Sequence, residues 1–269
     1  MLSEKELSQF EEQGYVIIKQ FLSSAEANRL YNASKNDQAL TEHSYAVKDA
    51  EGNESRLALW YTPGDDIYGM LSRSENLVKS VEQLIGSPVA HFHSKVMQKV
   101  PKVGGAWEWH QDYGYWYRNG FMYSEQMLSV MFALTDANQE NGCLKVLPAS
   151  HKLGRLEHGK AGEQVGADMK MVNKYKEKVE EVYCELEAGD ALFFHSNLLH
   201  ASGPNRSENP RWSIISCYNN VANTPDEDIT SSFVPIKMVE DGRILAADSV
   251  LSEGVDFSSK KTDKSLQEQ

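Results

Sequence analysis

The chain has 269 residues, a formal net charge of −12 and an isoelectric point near 5.2, enough length for one large or two small domains around a substantial core. Surfaces of nucleic acid and of anionic membranes attract basic proteins, so neither is expected as a partner of so acidic a chain. Cys143, Cys184 and Cys217 form an odd set without Cys-x-x-Cys spacing, which suits reduced thiols of the cytoplasm better than a disulfide framework or a zinc knot.

The N-terminus, Met1-Leu-Ser-Glu-Lys-Glu-Leu7, is acidic and polar where a secretory leader is basic and then apolar, and no apolar run reaches the ~18 residues of a membrane span. A cytoplasmic location is therefore expected. Ser3 followed by Glu6, with Leu7 and Phe10 on one face, predicts a capped short helix that Gly14 ends. Tyr15-Val-Ile-Ile18 reads as a buried strand. A second amphipathic helix starts at Ser23 or Ser24 and carries Ala27, Leu30 and Tyr31. Residues 35–59 are polar and rich in Asp, Asn and Glu, and are expected to form loop. Val78, Val81, Leu84 and Ile85 mark a helix that ends at Gly86.

From about residue 89 the pattern changes. Phe92 to Val100, Leu128 to Leu134, Cys143 to Leu147, Val182 to Leu186, Ala191 to Phe194 and Trp212 to Tyr218 are short runs rich in Val, Ile, Phe and Tyr, separated by Gly, Pro and Asn. Such a series predicts a β-sandwich or barrel. The charged segment between Lys152 and Glu181 is expected to be part helix and part mobile loop, and long excursions of this kind often cover a site. The expected organisation is one domain over 1–250, with helices in 1–88 and a β core in 89–222, followed by a polar, frayed tail over 251–269.

Chemistry concentrates in Trp107-Glu-Trp-His110-Gln-Asp112-Tyr113-Gly-Tyr-Trp116. On an extended backbone residues i and i+2 share a face, so His110 and Asp112 can reach one metal ion. Those are two legs of the 2-His-1-carboxylate triad that holds non-haem Fe(II). Two histidines compete for the third leg, His195 and His200, in Phe194-His-Ser-Asn-Leu-Leu-His200-Ala-Ser202. Arg211 then enters an apolar strand, where a buried guanidinium requires an anion, and its planar fork matches a carboxylate. With His200 as the third ligand, the set leaves open positions for a 2-oxo acid and dioxygen. Arg211 and the Ser202 hydroxyl would hold the far carboxylate of 2-oxoglutarate. Its oxidative decarboxylation to succinate and CO2 yields an oxidant able to take hydrogen from an unactivated C–H bond.

The ordered set His110-x-Asp112, Asn141-Gly-Cys-Leu144 leading to Leu147-Pro-Ala-Ser-His-Lys152, and His200-x-Ser202 with Arg211 eleven residues after the histidine resembles the phytanoyl-CoA dioxygenase family of Fe(II)/2-oxoglutarate oxygenases, which includes ectoine hydroxylase. The resemblance runs from Phe10 to about Asn220. It implies a mostly β double-stranded β-helix, a cupin-like jelly-roll with flanking N-terminal helices. It also implies His110, Asp112 and His200 as iron ligands, Arg211 and Ser202 on the co-substrate's distal carboxylate, and ascorbate as a stimulant. Lys95 falls where relatives place another co-substrate contact, and Trp107 and Met131 fall at positions lining the same pocket. Trp116 matches a substrate-contacting tryptophan of ectoine hydroxylase, and Tyr113 stands beside it in the stretch expected to recognise substrate.

Departures qualify the match. Met131 replaces an aromatic of phytanoyl-CoA hydroxylase, and no basic cluster marks a CoA site. Asp112 argues against the halogenase variant, which leaves that position open. The expected activity is hydroxylation of a small polar metabolite, such as an amino acid derivative, a betaine-like compound or an aminophosphonate, by a monomer or homodimer. The alternatives are an acyl-CoA or lipid-like substrate, a zinc hydrolase using the same ligands, and a metal-binding sensor without turnover. The aromatic group of Trp107, Trp109, Tyr113, Tyr115, Trp116 and Tyr117 is expected to be core, or an apolar slot or cation–π cage where it faces the metal.

Overall fold

Two reciprocal capping boxes open the chain. Ser3 and Glu6 cap α1 (Glu4–Gln13), and Ser23 and Glu26 cap α2 (Ser24–Asn36), each serine accepting from the third helical N–H while the glutamate accepts from the cap backbone. Such a cap contributes about 1 kcal/mol. A computed structural model describes residues 1–118, 126–224, 235–251 and 255–259. Between the first two helices runs β1 (Tyr15–Ile18), and Gly14, at φ 81°, makes the left-handed cap between α1 and β1.

Residues 35–59, expected to be loop, are instead α3 (Gln38–His43), β2 (Tyr45–Lys48) and β3 (Glu54–Trp60). The Asp37 carboxylate accepts from Leu40 N and starts α3. At the hairpin tip, Asp49 Oδ1 accepts from Glu51 N and Asn53 N, and Gly52 sits at φ 89°. The same polar residues that suggested loop are thus a helix cap and a turn, while Ser55, Leu57, Ala58 and Trp60 are buried in β3. The chain continues through α4 (Ile67–Ser72), α5 (Glu75–Ile85), β4 (Val89–Lys99), β5 (Trp107–His110), α6 (Asp112–Arg118), β6 (Met127–Ala133), β7 (Leu144–Val146), β8 (His158–Ala161), β9 (Gln164–Ala167), α7 (Met169–Lys176), β10 (Val182–Cys184), β11 (Ala191–His195), β12 (His200–Ser202), β13 (Arg211–Asn220) and α8 (Arg243–Ala246).

The strands build a seven-stranded sheet in the order β1-β11-β6-β13-β4-β3-β2, a four-stranded sheet β10-β7-β12-β5, and the β8-β9 hairpin, all antiparallel. This is the jelly-roll with N-terminal helices. Alternation along β6 shows why it closes. Leu128, Val130 and Phe132 pack with Phe10, Leu30 and Val78 of the helices, whereas Met127, Met131 and Ala133 pack with Leu144, Val146 and Cys184 across the sandwich. The large sheet therefore has two buried faces, and the site lies on the one toward the small sheet.

The 152–181 segment forms the β8-β9 hairpin and α7, docked on β5: Glu108 N donates to Gln164 Oε1 and Val165 N to the Tyr115 hydroxyl. Of the tail expected to be frayed, 255–259 is packed. Phe257 stacks on His43 with ring centroids 4.2 Å apart and pairs with Trp60, and the rest of 252–269 lies outside the described residues. No helix among the described residues is long and apolar enough to cross a membrane.

Candidate metal centre

The small sheet sets His110 and His200 directly opposite each other as register partners on β5 and β12, with ring centroids 4.1 Å apart. Asp112 Oδ1 lies 3.8 Å from Nε2 of each. The three donor atoms all fall within 4.8 Å of one another, and all three residues are buried. His195 stays outside this group: its Nδ1 accepts from Asn197 N and its ring lies against His151 and Phe10.

The extended geometry expected for 110–112 is corrected. His110 ends β5 and Asp112 begins α6, so the two ligands converge across a strand-to-helix turn, and 113–117 is helical. Gln111 holds the turn. Its Nε2 donates to Gly154 O at 2.8 Å and to Asn197 O at 2.7 Å, its Oε1 accepts from Leu156 N, and its own N–H goes to His158 Nε2. Gly114 is required beside it, because a Cβ there would lie 2.1 Å from His158 Cε1.

Each donor atom is presented by a second hydrogen bond. His110 Nδ1–H donates to Glu108 O at 2.7 Å and His200 Nδ1–H to Leu198 O at 2.9 Å, which leaves both Nε2 lone pairs bare. Ser129 donates to Asp112 Oδ2 at 2.6 Å and leaves Oδ1 for the centre. Burial, and for His110 the neighbouring His200, hold both imidazoles below their ordinary pKa and therefore neutral. Burial pushes the Asp112 carboxyl up, but Lys95, His200 and the Ser129 bond together hold it below the ordinary value. Two neutral imidazoles and one carboxylate, all on one side, form the donor set of the facial triad.

The cavity between the sheets is walled by Trp107, Met131, Leu144, Phe194 and Ile215 around His110, Asp112 and His200. At one end are Ser202 and Arg211. Arg211 is 3% exposed and its Nε has no hydrogen-bond partner, while Nη2 reaches only the Met131 sulfur at 3.8 Å. Burial lowers its pKa to about 10. Lys99, which sequence reasoning missed, is the register partner of Arg211 and is 1% exposed. Its Nζ donates to Ser202 Oγ at 2.8 Å and to Gly203 O. Burial, and then Arg211, push its pKa well below that of a free lysine. The signal for Lys99 lay in Lys95-x-Met97-x-Lys99, whose spacing of two puts all three on one strand face.

Lys95 lines the cavity beside the ligand cluster. Tyr113 and Trp116 are not among its lining residues: Tyr113 lies 6.1 Å from the Tyr117 ring, and Trp116 meets the rings of Phe92 and His93 at 5.2 and 5.8 Å. Tyr115 instead packs its ring edge-on to His110 at 5.4 Å. Trp109 faces away, with Lys145 and Lys176 each over its ring at 5.3 and 5.5 Å.

Residues 10–213, the span that contains His110, Asp112, His200 and Arg211, match the family model described as phytanoyl-CoA dioxygenase (PhyH). The chain belongs to the phytanoyl-CoA dioxygenase family. It is a dioxygenase of that family, and the relatives agree. An L-proline trans-4-hydroxylase of Streptomyces griseoviridis is 31% identical over 185 residues, 63% of this chain and 69% of that protein. An ectoine dioxygenase of Bordetella bronchiseptica is 27% identical over 240 residues, covering 83% and 77%. The crystal structure of EctD from S. alaskensis with bound Fe superposes with a TM-score of 0.74 at 21% identity, covering 89% of this chain and 88% of that one, and shares the jelly-roll fold.

Proposed function

We propose that this chain is a hydroxylase dependent on Fe(II) and 2-oxoglutarate that acts on a small polar metabolite and releases succinate and CO2. The observation that carries the reading is one cavity with two complementary ends. At one end two bare imidazole nitrogens and one carboxylate oxygen meet; at the other, a buried guanidinium has no protein anion. A 2-oxo diacid is the simple ligand that addresses both.

His110, Asp112 and His200 would hold the metal on one side, and Ser129 would keep Asp112 bound through one oxygen. Bound Fe(II) supplies the dioxygen chemistry. Arg211 and Ser202, with Lys99 donating to the same hydroxyl, would hold the distal carboxylate. Trp107 and Met131 wall the cavity and would line the co-substrate space. The names of the relatives, L-proline hydroxylase and ectoine dioxygenase, support a compact metabolite.

The test is direct. Purified protein with Fe(II), ascorbate and oxygen should convert 2-oxoglutarate to succinate slowly, and faster with a member of an amino acid and betaine panel. No succinate across the panel, together with no heat of 2-oxoglutarate binding, would refute the reading.

A further inference from the structure

The cavity is cationic inside an acidic protein. Its lining carries Lys95 and Arg211, with Lys99 just behind Ser202, against a single carboxylate, Asp112, which belongs to the metal donor set. A divalent metal adds two positive charges, and 2-oxoglutarate removes two. The ligand-loaded centre thus keeps an excess of positive charge.

Position tells which cation is left over. Lys95 and Lys99 lie on the same face of β4, four residues and therefore about 13 Å of strand apart. Lys99 sits opposite Arg211 and is spent on Ser202 and Gly203. Lys95 sits opposite Ile215, beside the metal donors, and makes no hydrogen bond or ion pair with any described residue.

Next along the strand, away from Arg211, the ladder breaks. Cys217 pairs with His93 and Tyr218 with His91, so Phe92 is an extra residue in β4. A bulge re-aims side chains, and here Phe92 and His93 both turn onto Trp116, the first helical turn after Asp112. His93 is 4% exposed, and its Nε2 has no hydrogen-bond partner. His93 thus lies outside the cavity lining, and Lys95 is the unpaired ammonium that faces the cavity beside the donor set.

We infer that the substrate is a small molecule carrying a carboxylate, and that Lys95 receives that group on the far side of the metal donors from Arg211. This rests on the iron and 2-oxoglutarate reading of the cavity, and it assigns Lys95 to the substrate instead of the co-substrate contact that family resemblance implies. A purely cationic substrate would meet a repulsive pocket.

The experiment loads the protein with Fe(II) and 2-oxoglutarate without oxygen and titrates L-proline, other free amino acids and the matching carboxamides. It reads the shift in thermal midpoint, and then, with oxygen, the stimulation of succinate release. The expected result is that at least one acid acts at concentrations tenfold or more below its amide. In Lys95→Gln that ratio should collapse toward one and in Lys95→Arg it should recover, while 2-oxoglutarate affinity falls far less than in Arg211→Met.

Amides equal to acids in the wild type, or no response to any carboxylate while substrate-free turnover persists, would overturn the inference. So would a Lys95→Gln protein that keeps the acid preference but loses as much 2-oxoglutarate affinity as Arg211→Met, which would return Lys95 to the co-substrate. Absence of any 2-oxoglutarate binding in the wild type would instead remove the functional reading, and this inference with it.

Discussion

Replacing Arg211 with methionine should weaken 2-oxoglutarate binding without weakening the ligand-free fold. Arg211 is buried opposite the equally buried Lys99, and no described carboxylate lies within ion-pair distance of either. Two adjacent cations in a low-dielectric interior cost stability, and a carboxylate arriving between them relieves that cost. Methionine keeps an apolar stem beside Met131 and removes the charge. Loss of charge-assisted hydrogen bonds is worth roughly 1.5–3 kcal/mol, or about a 10- to 150-fold rise in Kd. Calorimetric titration of the metal-loaded protein measures the binding term, and urea unfolding of ligand-free protein measures the stability term. The expected stability change is zero or a gain. A loss of several kcal/mol in the ligand-free protein, with 2-oxoglutarate affinity intact, would show that Arg211 is a structural cation and would refute the reasoning.

Two further changes test how the centre is held. Gln111→Ala leaves Gly154 O, Asn197 O and Leu156 N unpaired in the interior. At about 1–3 kcal/mol for an unsatisfied buried group, it should lower the urea midpoint clearly and weaken metal retention on dialysis. An unchanged midpoint would show that the turn holds itself. Asp49 accepts from Ala106 N, Asn53 N and Glu51 N; burial raises its pKa, but these bonds hold it below the ordinary value. A depressed carboxyl adds stability above its unfolded pKa, and that stability disappears as pH falls through the folded value. Asp49→Asn should therefore lose stability relative to wild type at pH 6–7, with the difference shrinking below about pH 4, as read by urea midpoints across the range.

The parts that could be read from the sequence are those whose physics is local. Ser3 with Glu6 and Gly14 specify the ends of α1, and the apolar runs specify six strands, because caps and alternation act within a few residues. The grouping of His110, Asp112 and His200 was legible as a candidate donor set, since His-x-Asp, a distant histidine and an arginine in a strand are chemical oddities wherever they fold. The region 35–59 was misread because Asp37 and Asp49 look alike as polar residues, and only the contacts of each distinguish a helix cap from a turn. Lys99 and Gln111 went unnoticed for another reason: their importance lies in register and in hydrogen bonds to residues more than forty positions away.

The site's departures from simple alternation fall at irregularities in the ladders. On β5, Trp107 and His110 are three positions apart, while their partners Ser202 and His200 on β12 are only two positions apart. That extra residue lets Trp107 and His110, which a regular strand would send to opposite faces, line one cavity. On β4 the extra residue Phe92 brings Phe92 and His93 onto Trp116, outside the cavity lining. Away from these two bulges β13 runs regularly against both β4 and β6 from Ser213 to Cys217, carrying Ile215 on the cavity face, with Arg211 four residues before it. Period-two alternation therefore predicts the floor of the site, the line of Arg211, Met131, Ile215, Lys95 and Lys99. It fails at the walls, because a slip of one residue sends a side chain to the other face, and the slip on β5 turns Trp107 inward beside His110.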